Sequence, residues 1–266
     1  TRQAERTSWS CWAVTVAIVV FLNGGVAAQI APVVPSKPSP AMTLARIYAD
    51  CMALARTAPE KALGVAAKWE REGGDEGARH CTAVALLNTG AYEEAARRLE
   101  SLAVTTRKPD KNLKAELLAQ AGQAWLIAGR STEALSAQTR ALELAGMRVE
   151  LLLDRAITRA SVGDYWDSID DLNRAIDKDP QRVDALIFRA TAWRKLDNLD
   201  LAHDDVARAA EIAPGNVDAL LERGNIRLLR GDPAAAAADW LKVVELNAKS
   251  PAADAARDNL AKLNAP

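Results

Sequence analysis

Apolar and small residues recur at helical spacing along most of the chain, and from about residue 115 the pattern repeats every 34 residues. Val149, Val183 and Val217 mark this period, and the segments VELLLDRA, VDALIFRA and VDALLERG that begin around them align without a gap. A further block precedes these three, so one leucine slot is filled four times: Leu118, Leu152, Leu186 and Leu220. A fixed period of this length predicts an array of similar units.

Each block is divided near its middle by residues that commonly end helices. These are Gly129, Gly163-Asp164, Asp197-Asn198 and Gly231-Asp232. The eighth slot of each block is small, being Gly122, Ala156, Ala190 and Gly224, and the eleventh slot holds Trp125, Arg159, Trp193 and Arg227.

This pattern resembles the tetratricopeptide repeat, a helix–turn–helix unit of 34 residues with a small eighth position and an aromatic eleventh position. The chain departs from the family pattern at Arg159 and Arg227, where the aromatic residue is missing. The resemblance implies an all-α fold, a right-handed α-solenoid of stacked antiparallel helix pairs. It also implies binding of proteins rather than catalysis.

The pattern predicts about six units and a cap. Four in-phase units occupy residues 115–250, and two degenerate units occupy residues 43–114, with an insertion around residues 105–112. Residues 251–266 are expected to form a capping helix, which an open-ended stack needs in order to cover its last apolar face.

The N-terminus has the features of an export signal. Arg2 and Arg6 precede a short apolar run at residues 11–22, and small residues at Val26 and Ala28 predict cleavage before Gln29. Residues 1–28 are therefore expected to be a signal peptide, with an uncleaved membrane anchor as the alternative. Four prolines make residues 29–42 an expected disordered tether. The expected location is the periplasm or the exterior; the alternative is the inner membrane, with the domain facing the periplasm.

Composition and charge narrow the function. The chain is 49% hydrophobic but only 5% aromatic, and alanine and leucine supply most of the apolar residues, which favours helices. With 34 Lys and Arg against 35 Asp and Glu, it lacks the basic footprint that nucleic-acid binding requires. Nucleic acid is therefore not an expected partner.

Arginine and aspartate appear and disappear together. The seventh slot holds arginine and the twenty-third holds aspartate in the last three full units, whereas the unit at Ala115 has Ala121 and Ala137 there. The joint change predicts structural ion pairs. Pairing within a unit would join Arg155–Asp171, Arg189–Asp205 and Arg223–Asp239; pairing between units would join Asp171–Arg189, Asp205–Arg223 and Asp239–Arg257.

Beyond the export signal the chain has two cysteines, Cys51 and Cys81, in the first helices of neighbouring units. In an oxidising compartment they are expected to form a disulfide, with two buried thiols as the alternative. Cys51, His80 and Cys81 lack a fourth ligand and the close spacing of a zinc site. No metal, cofactor or catalytic set is expected.

The family resemblance places a binding groove on the first helices of the units. The slots that face such a groove hold mostly apolar residues, with a basic patch at Arg194 and Lys195 and acids at Glu150, Asp184 and Asp218. The candidate groove residues are Gln123, Leu126, Ile127, Leu153, Ile157, Ile187, Phe188, Thr191, Arg194, Lys195, Leu221, Asn225, Leu228 and Leu229.

An extended peptide or amphipathic helix is the expected ligand of this groove. The leading hypothesis is a non-catalytic envelope scaffold or adaptor. A periplasmic holding chaperone for exported clients is the alternative, and an envelope enzyme with an unrecognised site is less favoured.

Overall fold

The computed structural model describes residues 40–107 and 110–263. These residues form thirteen α-helices and, within those ranges, no strand. The expected signal peptide and nearly all of the expected tether lie outside the described residues. The first helix begins at Pro40, so the last three residues of the expected tether are helical. Proline is compatible with the first turn of a helix, where its missing N–H costs no hydrogen bond.

The helices alternate along the chain as short antiparallel pairs. They are α1 Pro40–Thr57, α2 Pro59–Trp69, α3 Asp75–Asn88, α4 Tyr92–Thr105, α5 Lys111–Ile127, α6 Ser131–Ala145, α7 Val149–Ser161, α8 Tyr165–Lys178, α9 Val183–Lys195, α10 Leu199–Ile212, α11 Val217–Leu229, α12 Pro233–Leu246 and α13 Pro251–Leu263. A wide turn, Glu70–Gly74, joins α2 to α3, and Gly73 has the positive φ of 92° that this turn requires.

The insertion in the second unit takes the form of an extra helical turn. Helix α5 has 17 residues, whereas α7, α9 and α11 each have 13. Asp110 caps this turn by accepting hydrogen bonds from the backbone N–H groups of Asn112 and Leu113. Helix α5 therefore begins four residues before Ala115, where the repeat comes into phase.

The odd-numbered helices form the inner layer of the solenoid. Helix α7 packs between α5 and α9, and α11 packs between α9 and α13. Each even-numbered helix instead packs against the helices that precede and follow it in the chain. Because the odd helices are the ones that approach each other across repeats, the surface they present is the concave one.

Small and large side chains interlock between the two helices of each in-phase unit. Buried alanine, leucine and tryptophan side chains form the core of these units, among them Leu118, Leu152, Leu172, Leu186, Val206 and Trp240. Capping helix α13 covers the last unit by burying Ala252, Ala253 and Ala256 against Trp240 and Val243 of α12. The last apolar face of the stack is therefore covered by the chain itself.

Candidate functional site

The arginines of the seventh slot pair with aspartates inside their own repeat. Arg155 donates from Nε and Nη2 to the two carboxylate oxygens of Asp171, at 2.8 Å in each case. Asp171 has a side-chain exposure of 0%, so it depends on charged donors of the protein in place of water, and this two-pronged contact supplies two of them. The same geometry recurs in the next two units: Arg189 with Asp205 at 2.8 and 2.6 Å, and Arg223 with Asp239 at 3.0 and 2.6 Å.

A second arginine reaches two of these aspartates. Arg159 donates to Asp171 at 2.7 Å, and Arg227 donates to Asp239 at 2.8 Å. Both occupy the eleventh slot, where the family pattern has an aromatic residue and the intervening unit has Trp193. The departure from the family pattern therefore has a structural role, because the guanidinium lies one helical turn after the first one and contacts the same carboxylate.

The third nitrogen of the arginine fork reaches the preceding repeat. Arg155 donates from Nη1 to Thr139, and Arg189 donates from Nη1 to Asn173 at 2.7 Å. Thr139 and Asn173 are one period apart, and the next residue in that slot is Ala207. Of the two alternatives for the ion pairs, pairing within the repeat is the one that forms, and the contact between repeats runs from the guanidinium to an uncharged acceptor.

Arg257 does not have the expected ion-pair role. It donates to the backbone carbonyl of Ala248 and to Asp254 of its own helix, in an exposed pair. Asp239, its candidate partner, accepts from Arg223 and Arg227 instead. The capping helix carries the arginine of the repeat pattern, but its guanidinium satisfies the end of α12 rather than a buried carboxylate.

The sulfur atoms of Cys51 and Cys81 are bonded to each other, with their Cα atoms 6.1 Å apart. Both residues have an exposure of 0%. The bond joins α1 to α3, the inner helices of the two degenerate units, around a separation of 30 residues. It therefore crosslinks the part of the solenoid in which the repeat pattern is weakest.

Twelve of the fourteen candidate groove residues have exposed or half-buried side chains on the inner helices. The most exposed apolar ones are Ile127, Leu229, Leu228 and Phe188, at 63%, 56%, 38% and 37%. Leu153 and Ile187 are instead buried in the core. Both fill the fifth slot, which points toward the adjacent inner helix, so they are packing residues rather than groove residues.

The expected basic patch is half neutralised. Arg194 donates to both carboxylate oxygens of Glu222, at 2.6 and 3.1 Å, while Lys195 is exposed. Asn225 also donates to Glu222, at 3.1 Å, and in turn accepts from Asn259 of the capping helix at 2.9 Å. Sequence analysis missed Glu222, although the sixth slot also holds an acid two units earlier, Asp154; Gln120 and Phe188 fill this slot in the other two units.

Acidic side chains of the groove are also engaged. Arg182 donates to Asp184 at 2.8 Å and approaches Glu150 at 3.4 Å. Asp154 accepts from Gln123 at 3.0 Å, and burial raises the pKa of the Asp154 carboxyl above its ordinary value. The inner surface is thus a set of exposed apolar side chains separated by ion pairs and hydrogen bonds that are already satisfied.

Within residues 40–107 and 110–263, no cluster of three or more histidine, cysteine, aspartate or glutamate residues is arranged to hold a metal ion. None of the helices in these ranges combines the length and the apolar character needed to cross a bilayer.

Comparison with known proteins identifies the repeat. Residues 153–217 and 194–255 match the family model of the tetratricopeptide repeat. A search of curated protein sequences gives no match.

Solved structures share the fold at low sequence identity. MamA of Desulfovibrio magneticus RS-1, from residue 41 to its end, superimposes with a TM-score of 0.57 at 20% identity, covering 67% of this chain and 98% of that one. YrrB, described as a tetratricopeptide-repeat protein with an unusual peptide-binding site, has a TM-score of 0.52 at 17% identity and covers 76% and 98%. Residues 153–255 therefore contain tetratricopeptide repeats, and the described part of the chain has the all-α solenoid fold that these structures share.

Proposed function

We propose that this protein is a non-catalytic adaptor that holds an extended peptide or a helix of a protein partner in its concave groove. The observation that carries the proposal is the exposure of Ile127, Phe188, Leu228 and Leu229 on the inner helices. These residues come from three repeats, and exposed apolar side chains on a concave surface are typical of interaction sites. Tetratricopeptide repeats commonly use this surface for protein partners.

The neutralised charges of the groove favour an apolar ligand. Glu222 is 6% exposed and its carboxylate is held by Arg194 and Asn225, so it has little capacity left for a ligand. A partner that places leucine or aromatic side chains at helical or extended spacing would cover the apolar positions without breaking these contacts. Lys195 remains as an exposed cation in the slot that holds Ile127 and Leu229 in two of the other units.

We further propose that the protein acts in the periplasm or outside the cell, exported by its N-terminal segment. The bonded pair Cys51–Cys81 supports this location, because structural disulfides persist in oxidising compartments. Arg2, Arg6 and the apolar run at residues 11–22 supply the signal that the proposal requires. Fractionation of cells that express the chain with a C-terminal tag tests it: the tagged protein should appear with periplasmic or secreted markers, and recovery with cytoplasmic markers alone contradicts it.

The groove is tested by selecting peptides from a random library on the purified protein and measuring their affinities by calorimetry. Phe188→Glu places a charge among the exposed groove residues and should weaken the selected peptides at least about tenfold, since a buried charge without a partner is costly. Leu241→Glu is the matched control, because Leu241 is 60% exposed on the even-numbered helix α12.

Equal weakening by both substitutions, or by neither, would contradict binding in the groove. Peptides that share a consensus support an adaptor with a defined partner. Selection of unrelated apolar peptides with similar weak affinities instead supports the holding chaperone. Turnover of a substrate that a point substitution abolishes would contradict both.

A further inference from the structure

The two N-terminal units surround a cleft that the concave groove does not include. It has a volume of about 730 Å³ and is lined by residues of α1, α3 and α5 together with the ends of α2 and α4. Three departures from the repeat pattern meet there: the wide turn Glu70–Gly74, the extra turn of α5 that begins at Lys111, and His80. The irregular part of the solenoid thus encloses a specific space.

The cleft exists because the inner layer is opened between α3 and α5. In the in-phase units each inner helix packs directly on the next, but α3 and α5 are not packed in this way. The His80 ring bridges them by a hydrogen bond of 3.2 Å from Nε2 to Oε1 of Gln120. On the other side of α3, the disulfide between Cys51 and Cys81 holds α1 close. Helix α1 is therefore covalently crosslinked to α3, whereas a side-chain hydrogen bond joins α5 to α3.

The walls of the cleft are mainly apolar. Leu102 of α4 and Leu117 of α5 contribute buried side chains, and Leu44 of α1 is exposed at the rim. The indole of Trp69 lies against two glycines, since a Cβ on Gly74 or Gly77 would fall 2.5 Å from the ring. These glycines leave room for a large aromatic surface in the wall. A cleft of this size and lining is typical of sites for small organic molecules.

One end of the cleft is polar and presents hydrogen-bond acceptors. Because the Oε1 atom of Gln120 only accepts, His80 Nε2 carries the hydrogen and its Nδ1 accepts the hydroxyl hydrogen of Tyr48 at 2.7 Å. Burial lowers the pKa of His80, which agrees with a neutral ring. The hydroxyl hydrogen of Tyr48 is thereby used, and the Oη lone pairs remain to accept from a ligand.

A second acceptor lies at the start of α3. One carboxylate oxygen of Glu76 accepts the backbone N–H of Arg107 at 2.7 Å. Its other oxygen is available to a donor in the cleft, since an ionised carboxylate has about four lone-pair positions. Tyr48 and Glu76 both accept hydrogen bonds, so the complementary ligand carries an amine or hydroxyl group; Arg107, whose backbone N–H binds Glu76, also lines the cleft.

We propose that this cleft binds a small amphipathic molecule, with an apolar body against Trp69, Leu102 and Leu117 and one hydrogen-bond donor directed at the Tyr48 hydroxyl oxygen. The site shares no lining residue with the candidate peptide groove. Its ligand class is a neutral or cationic aromatic or aliphatic compound with an amine or hydroxyl group.

The experiment uses two probes that differ by one donor. N-phenyl-1-naphthylamine has an apolar body and a single N–H, and 1-benzylnaphthalene replaces that N–H by a methylene group. The fluorescence of the amine is titrated with the full-length protein, and the hydrocarbon is measured by displacement. The amine should bind at one site per chain and more tightly than the hydrocarbon by about fivefold, the value of one neutral hydrogen bond.

Variants locate the site. Leu113→Trp and Leu44→Trp fill the cleft from opposite walls, and each should weaken both probes at least about tenfold by steric exclusion. Leu241→Trp, on the even-numbered helix α12 and outside both the cleft and the groove, is the matched control and should leave both affinities unchanged. Tyr48→Phe should weaken the amine about fivefold and leave the hydrocarbon unchanged. Circular dichroism verifies that each variant is folded.

Several results would overturn the proposal. Absence of saturable binding would do so, as would amine binding that neither tryptophan variant weakens. Equal affinity for the two probes, or an amine affinity that Tyr48→Phe does not change, would show an apolar sink without the polar recognition that the cleft geometry assigns.

Discussion

Gly224 lies directly beneath the indole ring of Trp240, and a Cβ on Gly224 would fall 2.5 Å from the indole nitrogen. The two residues occupy the eighth and twenty-fourth slots of the last unit. The first in-phase unit has the same relationship, since a Cβ on Gly122 would fall 2.6 Å from Cγ of Gln138. In the two middle units the eighth slot is alanine, and the facing residue, Leu172 or Val206, is smaller than Trp240. Compared with these two units, the last unit thus has a smaller residue in one slot and a larger one in the slot that faces it.

Gly224→Ala is expected to destabilise the protein by about 1–3 kcal/mol, because the buried indole cannot move aside without strain. A destabilising effect is informative, because helix propensity alone would make Gly→Ala stabilising by about 1 kcal/mol. Urea denaturation measures the change in the free energy of unfolding.

Repeating the substitution in a variant with a smaller residue at position 240 tests whether contact with the indole causes the loss of stability. In Trp240→Leu, which copies the leucine of the second unit, Gly224→Ala should become neutral or stabilising. Gly215→Ala is the control, because a Cβ there meets no atom within 4 Å. A destabilising Gly224→Ala in the leucine background would show that contact with the indole is not the cause.

Removing both members of the Arg189–Asp205 pair should cost less than the sum of the two single removals. Asp205→Ala leaves a mostly buried arginine without its carboxylate, and we expect a loss of about 3 kcal/mol. The double variant Arg189→Ala, Asp205→Ala copies Ala121 and Ala137 of the first in-phase unit. It should be more stable than the sum of the single changes predicts, by about 2 kcal/mol.

A double-mutant cycle measured by urea denaturation provides this coupling energy. Arg46 and Asp50 form an exposed pair with side-chain exposures of 85% and 76%, and the same cycle there is the control. A coupling at Arg189–Asp205 no larger than that of the control would contradict a structural role for the pair.

Loss of the Cys51–Cys81 disulfide should destabilise the two N-terminal units. For a loop closed over 30 residues, the chain-entropy model gives about 3–4 kcal/mol. In calorimetry, the variant Cys51→Ala, Cys81→Ala should therefore show a first unfolding transition at a lower temperature. A reductant should shift the native protein in the same direction and leave the variant unchanged; two free thiols by mass before reduction would contradict the bridge.

The pH dependence of stability should report His80. Burial lowers its pKa in the folded protein below the ordinary 6.5, so the unfolded chain binds the proton more readily below that pH. Stability is therefore complete above about pH 6.5 and declines as the pH falls toward the folded pKa. His80→Asn should flatten the change in melting temperature between pH 7.5 and 5.5. His203→Asn, on α10, should retain it, and an unaltered slope in His80→Asn would contradict the assignment.

The solenoid itself could be predicted from the sequence because the sequence repeats with a fixed period of 34 residues. Four copies in phase gave the helix pairs, the turns and the co-variation of arginine with aspartate, since each copy tests the others. The choice of partner for Asp171 could not be made, because Arg155 precedes it by 16 residues and Arg189 follows it by 18, and both arginines belong to the same periodic set.

Features that occur once were the ones missed. The contact between Arg194 and Glu222 occurs at one interface only. The cleft beside His80 depends on where α5 begins, and no other repeat has this start. Leu153 and Ile187 were placed in the groove because the family slot was carried over without regard to the adjacent helix that buries them. Arg159 and Arg227 were visible as departures, and their joint presence with Asp171 and Asp239 was the signal that could have identified them.

Each of the three aspartates in the twenty-third slot is neutralised inside its own repeat, unlike Glu222, which Arg194 of the preceding repeat neutralises. Duplication of a unit would add a complete Arg–Asp pair, and deletion would remove one, so neither event would leave one of these aspartates without its arginine. Pairing across the boundary would have tied every unit to its neighbour and penalised any change in number. The arrangement around Asp171, Asp205 and Asp239 therefore leaves the length of the solenoid free to vary in evolution.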